Sequence, residues 1–580
     1  MESSTTLRYT SPVTPEIFPD RALSFFPPGY SPRPEQRNAI VRIQKEFDSG
    51  KKIVAFQGPT GMGKTLIAQT FALKTLSEGG RAHYLTIQKN LQDQLVKQFP
   101  DVVALKGRAN YACNHKDAAP KTDASKGVCR DKNRGILMDC VHNPMDDPLI
   151  LFHAANFQVS PSCQICPYWH QGQLTADASI SAFTFSSFLF QRRLGRFEPR
   201  KLMIIDECHN IESELMKFVT LELTEFALTP LGIEIDEEIF SSDDLLDWIN
   251  RKQIHEKLLA LLGDSAFKVD IQIADGLSLE QSEALQSLLT KIEYFKKLLN
   301  LTQWVVETRS ERNRRGVLRP KIVCRPMFVQ RFAKDLLFSN GEQVLCMSAT
   351  ILDFEIWRRN LGLTKDEVAY VEGPCPFPPK NRPLHVLYAG NMGQKYFEKG
   401  EEPTRPKLMG TILWILNFHA GQRGIIHCHS KKLSNAILED VKSTRFLRPE
   451  DFPKEDKQLL LEAHGKRKDS VILAPGMHEG VDLANDLSRF QIIAKVPWAD
   501  KSDKLISERM LKDDLYYPWL CALKLVQSYG RSVRNQDDWA HTYILDGNFA
   551  MVLSKHRRIL PDWFLEALHF GRPQNPLKPS

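Results

Sequence analysis

The 580-residue chain has no run approaching about 18 consecutive apolar residues, so the sequence offers no ordinary membrane-spanning helix. Its first residues, MESSTTLRYTSPVTPE, lack the charged-then-apolar pattern of a secretion signal. Charge of one sign is scarce too. The 77 Lys and Arg stand against 70 Asp and Glu, a formal +7, which excludes a polybasic coat but leaves room for a local basic groove. There is no internal repeat at a fixed short period and no low-complexity tract. With 42% hydrophobic residues the chain has material for several cores, and at roughly 150 residues per domain it should hold about four. That rules out a small disulfide scaffold and a disordered chain.

The eleven cysteines are odd in number and unevenly placed. Cys113, Cys129, Cys140, Cys163 and Cys166 fall within 54 residues; Cys208, Cys324, Cys346, Cys375, Cys428 and Cys521 are scattered singly. Without a secretion signal this argues for a reducing compartment, in which a local cluster means metal rather than disulfides. The scattered six read as buried structural thiols. Cys163 and Cys166 form a CxxC, the tightest chelate a chain offers locally. Four thiolates suit an iron–sulfur cluster or a structural zinc equally well.

Residues 33–50 read as a helix, 52–57 as a buried strand, 66–76 as a helix, 82–87 as a strand and 91–99 as a helix. This alternation implies a parallel sheet faced by helices. The same texture returns at 201–205, at 343–346 and from Pro383 onward. Two stretches break it: 107–181 is cysteine-rich and loop-like, and 223–325 reads as mainly helical. In the latter, Leu285, Leu288, Ile292, Phe295 and Leu299 alternate steps of three and four, one apolar stripe suited to packing within a domain. Five prolines in 373–383 mark an interdomain linker.

GPTGMGKT, from Gly58 to Thr65, fits G-x-x-x-x-G-K-[ST] between a strand and a helix. Its glycines, Gly58, Gly61 and Gly63, would let backbone N–H groups close around phosphate, Lys64 would neutralise the β- and γ-phosphates, and the Thr65 hydroxyl would ligate Mg²⁺. The strand at 202–205 runs into Asp206-Glu207-Cys208-His209. There Asp206 would hold the metal and Glu207 would orient and deprotonate the attacking water. Far downstream, QSYGRSVR carries Gln527, Gly530, Arg531 and Arg534. Two arginines three apart on one helical face could both reach an anionic transition state from a second domain.

In that order, GPTGMGKT, DECH, Ser348-Ala349-Thr350 and QSYGRSVR resemble the motifs of superfamily 2 helicases. The spacing narrows the resemblance. About 120 residues separate Thr86 from Asp206 and about 142 separate Asp206 from Ser348. Insertions at those two places, one cysteine-rich and one helical, resemble the XPD/DinG family of iron–sulfur helicases, its phage and bacterial members most. Smaller matches agree: Arg33-Pro-Glu-Gln36, KGRANYAC ending at Cys113, Cys166-Pro-Tyr168, Pro376-Phe-Pro378 and GMHEGVD from Gly476 to Asp482. The resemblance covers roughly residues 20 to 550; DECH stands where many members have DEAH, which leaves the acid pair and His209 intact.

The resemblance implies an α/β fold with two RecA-like P-loop motor domains, the first interrupted by an iron–sulfur insert and a helical arch. The corresponding division is a tail at 1–19, motor 1 at 20–106, 182–222 and 326–372, the cluster domain at 107–181, the arch at 223–325 and motor 2 at 373–580. Arg33 and Gln36 would read the base of ATP, and Gly476, Asp482 and Gly530 would join the nucleotide site. Gln527, Arg531 and Arg534 would complete it from motor 2. A [4Fe–4S] cluster on Cys113, Cys129, Cys163 and Cys166 is implied, with Cys140 as the alternate and zinc as the alternative metal. The implied partners are single-stranded DNA and forked or tailed duplexes, met by a monomer in the cytoplasm of a bacterial cell or phage-infected host. Thr86, His429 and Ser430 carry motif context for DNA; Arg108, Tyr111, Tyr168 and Trp169 have suitable chemistry but equally suit packing. The arginines at 309–319 read first as a solvated turn. The expected activity is ATP-driven 5′→3′ translocation and unwinding; a translocase or remodelling ATPase that does not separate strands is the alternative.

Overall fold

The computed structural model describes residues 21–574 apart from 88, 115–120, 127–165, 194, 196, 263–278, 313–315, 394–396, 398–402, 477–482 and 535–536. Chain entry is a helix, α1 (Pro34–Asp48), started by Pro34 and by the Arg33 N–H donating to Gln36 Oε1 at 2.9 Å. It buries Ala39, Ile40, Ile43 and Phe47 on one face. Strand β1 (Ile53–Gln57) is buried along its whole length and leads through the glycine loop into α2 (Lys64–Ser77). Then come β2 (Ala82–Thr86), α3 (Lys89–Gln98) and β3 (Val102–Ala104).

After the cysteine-bearing stretch, α4 (Pro167–Asp177), β4 (Ile180–Thr184), α5 (Phe185–Arg193), β5 (Arg200–Asp206) and α6 (Ile211–Val219) follow. With β9 (Gly341–Ser348) and β10 (Val368–Glu372), five of these strands form a seven-stranded sheet in the order β10-β1-β9-β5-β2-β4-β3, every pair parallel. Strands in such a sheet are covered on both faces, which is why they read as continuous apolar runs without alternation. β4 runs across residues 181 and 182, so the sheet begins inside the stretch that reads as loop.

A second seven-stranded sheet, β13-β14-β12-β15-β16-β11-β17, is also parallel throughout. It draws on β11 (Leu384–Gly390), β12 (Gly424–His427), β14 (Val471–Ala474), β15 (Phe490–Ile493) and β16 (His541–Asp546), with short edges β13 (Phe446–Leu447) and β17 (Leu568–Phe570). The stretch 373–383 between the sheets is packed, not strung out. Gly373 N–H donates to the Gln57 carbonyl at 2.8 Å, and Phe377 is buried with Val533 and Ala540.

The stretch 223–325 is helical over most of its described residues but also holds a sheet that the sequence reading did not anticipate. Its helices α7 (Ser242–Arg251), α8 (Ile254–Leu262) and α9 (Leu279–Leu298) pack on a three-stranded antiparallel sheet, β6 (Leu221–Thr224), β8 (Leu318–Pro326) and β7 (Trp304–Arg312). The stripe Leu285, Leu288, Ile292 and Phe295 is buried in their shared core, with Leu299 at its edge. The arginines expected in a solvated turn lie on the long hairpin: Arg309 and Arg312 on β7, Arg319 on β8, with Arg314 and Arg315 outside the described residues. Period-two alternation is hard to see there because the distal halves of both strands are exposed on both faces.

In the second unit, α10 (Thr404–Phe418) and α11 (Lys431–Val441) flank β12, and α12 (Lys504–Lys512) with α13 (Tyr516–Tyr529) reach back to the first unit. Asp503, which caps α12, takes a bidentate pair from Arg325 at 2.9 and 2.9 Å, and Lys504 Nζ donates to the Val306 carbonyl at 2.8 Å. Fully buried Arg509 bonds the Met327 carbonyl at 2.6 Å and pairs with Glu212 of α6. Among the described residues no helix is long and apolar enough to cross a membrane.

Candidate nucleotide-binding cleft

The glycine loop takes its shape from backbone conformations that β-carbons resist. Gly61 and Gly63 sit at φ +80° and +78°, and a Cβ on Gly61 would lie 2.1 Å from the Phe377 ring. A Cβ on Gly63 would meet Gln36 Nε2 at 2.4 Å. Gly58 N–H donates to the Ser348 carbonyl at 2.9 Å, and Lys64 Nζ donates to the Gly58 carbonyl at 2.9 Å. Thr65 follows as the second residue of α2. Arg33 and Gln36, expected at the base of the nucleotide, bond the loop itself: Arg33 Nη2 to the Gly61 carbonyl at 2.8 Å and Gln36 Nε2 to the Met62 carbonyl at 3.1 Å. They brace the phosphate loop from α1.

Asp206 ends β5 and Glu207 turns the chain at φ +53°, a left-handed conformation uncommon for a residue other than glycine. Burial, and then the adjacent Glu207 carboxylate, push the Asp206 carboxyl above the usual range, while Lys64 opposes them. Two neighbouring acids, one of them desolvated, facing a lysine and a phosphate loop form a donor set that fits a divalent cation.

His209 joins the two units. Its Nε2 accepts from the Asn210 amide at 2.7 Å and from the Gln527 amide of α13. That leaves the proton on Nδ1, which donates to Ser348 Oγ at 2.7 Å, and Ser348 Oγ reaches Glu207 Oε2 at 3.5 Å. Gln527 Nε2 also lies 3.4 Å from Thr350 Oγ1. A short chain of hydrogen bonds therefore runs from the second unit to the carboxylate of Glu207.

Between the units lies a cavity of about 340 Å³. Thr60, Glu207 and Thr350 line it from the first unit; Gln527, Gly530, Arg531 and Arg534 line it from the second. The two arginines do not share a helical face as expected: α13 ends at Tyr529, Gly530 is its C-cap, and Arg531 and Arg534 lie in the segment beyond. The sequence signals this stop only weakly: Gly530 costs about 1 kcal/mol inside a helix and suits a helix C-terminus, but QSYGRSVR contains no proline to reinforce it. Gly530 sits against the loop, where a Cβ would come within 3.5 Å of Thr60 Oγ1. Gly476 follows β14 on the exposed surface, and Asp482 lies outside the described residues.

Two residues in the cleft carry no motif signal. Gln57, buried at the end of β1, accepts the N–H groups of Ile351 and Leu352 at 2.6 and 2.7 Å and so ties the Ser348–Thr350 turn to the phosphate strand. Trp563 also lines the cavity, with Tyr529 stacked on it at 5.8 Å.

Of the clustered cysteines, Cys113 and Cys166 are half-buried, while Cys129, Cys140 and Cys163 lie outside the described residues. Tyr111 and Tyr168, two positions from Cys113 and Cys166, meet edge to face at 5.7 Å, which joins the segments that carry the two cysteines. Among the described residues no three His, Cys, Asp or Glu are grouped to hold a metal. Arg108 lies over the rings of Tyr168 and Trp169 at 4.8 and 5.4 Å, and Tyr168 is buried, its hydroxyl bonded to Gln191 at 3.0 Å. Thr86 is fully buried at the end of β2, and Ser430 caps α11 by accepting the Leu433 N–H at 3.3 Å. Of the scattered thiols, Cys208, Cys324, Cys346, Cys428 and Cys521 are buried, and burial raises each one; Cys375 is half-buried.

Residues 413–567 match the family model described as a helicase C-terminal domain, and residues 29–229 match that of the type III restriction enzyme res subunit. The chain is 22% identical to the ATP-dependent DNA helicase YoaA of Escherichia coli (strain K12), across 93% of this chain and 95% of that one. A solved XPD helicase superposes with a TM-score of 0.57 at 14% identity, covering 93% of this chain and 99% of the other. Xpd4 of S. tokodaii superposes with a TM-score of 0.53, also at 14% identity, covering 93% and 100%. At such identity the two structures bear on the fold alone, which is a pair of RecA-like α/β units.

Proposed function

We propose that the chain is an ATP-dependent DNA helicase of the XPD/DinG family of superfamily 2, which moves 5′→3′ along single-stranded DNA and unwinds duplexes or DNA–RNA hybrids ahead of it. The observation that carries the reading is the shared cavity, in which Glu207 of the first unit faces Arg531 and Arg534 of the second. ATP enters with its phosphates in the loop at Gly58, Gly61 and Gly63, against Lys64. Thr65 and Asp206 would hold magnesium, which when bound neutralises phosphate charge. Glu207 orients the attacking water and takes its proton; Arg531 and Arg534 steady the charge that builds on the transferring phosphoryl group. Gln527, bonded to His209, ties that chemistry to the closed position of the units. Gly530 joins the nucleotide site from motor 2, and the same role for Gly476 and Asp482 rests on their motif alone. Hydrolysis loosens the cleft, so the units alternate their grip on the strand.

Cys113, Cys129, Cys163 and Cys166, with Cys140 as the alternate, would hold a [4Fe–4S] cluster that pins the insert beside the DNA path. The meeting of Tyr111 with Tyr168 supports a common site for the first and last of these. Glu207→Gln tests the hydrolytic reading: ATP should still bind, while DNA-stimulated phosphate release should fall by about 10²-fold or more. Wild-type turnover in that variant contradicts it. Iron and acid-labile sulfide measured on anaerobically purified protein test the cluster; one equivalent of zinc and no iron overturns it.

A further inference from the structure

Because α13 stops at Tyr529, no helix fixes where Arg534 points. A carboxylate does. Asp538 has a fully buried side chain, and its Oδ2 accepts the backbone N–H of Arg534 and that of Asn485, each at 3.1 Å. Its Oδ1 accepts the Trp539 N–H and Arg489 Nη1, both at 2.9 Å. A buried charge is costly unless its lone pairs are filled, and here four donors fill them. On the opposite side, the Arg534 carbonyl lies so near the phosphate loop that a Cβ on Gly61 would come within 2.8 Å of it. The Arg534 backbone is thus held between Gly61 and Asp538. Asn485 adopts φ +56°, and its bond to the same oxygen supports that strained conformation at the end of the segment that follows Gly476 and Asp482.

An ion pair with Arg489 alone would need neither backbone contact. We infer that Asp538 is a positioning residue for ATP hydrolysis: through the Arg534 N–H it sets the reach of that arginine into the cleft, and it locks the Asn485 segment to the same point. The inference rests on the reading of Arg534 as a transition-state arginine, and the experiment separates the two.

Steady-state ATP hydrolysis with DNA is measured for Asp538→Asn, Arg534→Ala, the double variant and Arg489→Gln, each with its thermal midpoint. Asp538→Asn should lower kcat by roughly tenfold or more, with the KM for ATP within about twofold of wild type, because only transition-state contact is misplaced. In the Arg534→Ala background the same change should alter kcat by less than about twofold. Arg489→Gln breaks the ion pair and keeps the backbone contacts, so it should lower the thermal midpoint yet leave kcat within about threefold. Wild-type kcat in Asp538→Asn overturns the inference. So does an equal loss with Arg534 absent, or a loss in Arg489→Gln as large as that in Asp538→Asn. Should Asp538→Asn fail to fold, the kcat of Arg489→Gln decides. Wild-type hydrolysis in Arg534→Ala instead refutes the role given to Arg534.

Discussion

Glu207 carries its carboxylate on a left-handed backbone, with its N–H held by Asp206 Oδ1 at 3.0 Å and its side chain 3.4 Å from His209 Nδ1. Such strain persists only where neighbours over-determine it, and it aims the carboxylate into the cavity between the units. Lys64 Nζ sits in the glycine loop on the Gly58 carbonyl, the position proposed to meet phosphate, so Lys64→Ala should cut ATP turnover by about 10²-fold or more, as read by phosphate release with saturating DNA. Turnover within a few-fold of wild type would show that the loop is not the hydrolytic site. At this scale the motif residues stand out in the sequence because the chemistry proposed for them needs fixed types at fixed spacings: Gly, Lys and Thr around phosphate, two acids after a strand. Asp538 does not. It is one of two adjacent acids, and nothing in the string Asn-Gln-Asp-Asp-Trp tells which carboxylate folds inward onto backbone N–H groups. Gln57 was hidden likewise, as a polar residue ending an apolar strand.

Among the elements, β1, β2, β5 and β9 were legible for a simple reason: a parallel strand buried on both faces is a short apolar run between charges and glycines, whereas β3, β4 and β10 were not read individually. The hairpin β7–β8 was not legible, and the end of α13 only weakly so. Trp304, Val305 and Val306 are buried while Arg309, Arg312 and Leu318 are exposed, so one strand mixes two environments and its period disappears. Helix α12 shows what such elements do once placed. Arg509, its guanidinium stacked on Phe328 and Tyr516 at 4.9 and 4.6 Å, pairs with Glu212 and holds the Met327 carbonyl. Arg509→Leu leaves Glu212 partly buried without that partner and should cost about 3–5 kcal/mol of stability, read as a lowered denaturant midpoint. An unchanged midpoint would mean that α12 does not fasten the units together.

For the whole molecule, motif order divided the residues proposed for hydrolysis between two units, while the contact of α12 with Arg325 and Val306 had no sequence signal because it joins residues some 180 to 200 positions apart. Both units also bury histidines. Burial pushes His83 in the first unit and His385 and His419 in the second down to about 3. In the unfolded chain each titrates near 6.5, so below that pH the unfolded state binds more protons. Stability should therefore decline as pH falls from about 6.5 toward 3, by up to about 1.4 kcal/mol per pH unit for each histidine. Urea midpoints at several pH values check this, and a midpoint independent of pH across that window contradicts it. The two RecA-like units and the cavity between them support the proposed reading of an ATP-driven motor on single-stranded DNA. The most direct test is an unwinding assay with anaerobically purified protein on duplexes bearing a 5′ or a 3′ single-stranded tail. ATP-dependent separation of the 5′-tailed duplex alone is the predicted result; separation only from 3′ tails, or ATP hydrolysis with no strand separation on either, would contradict it.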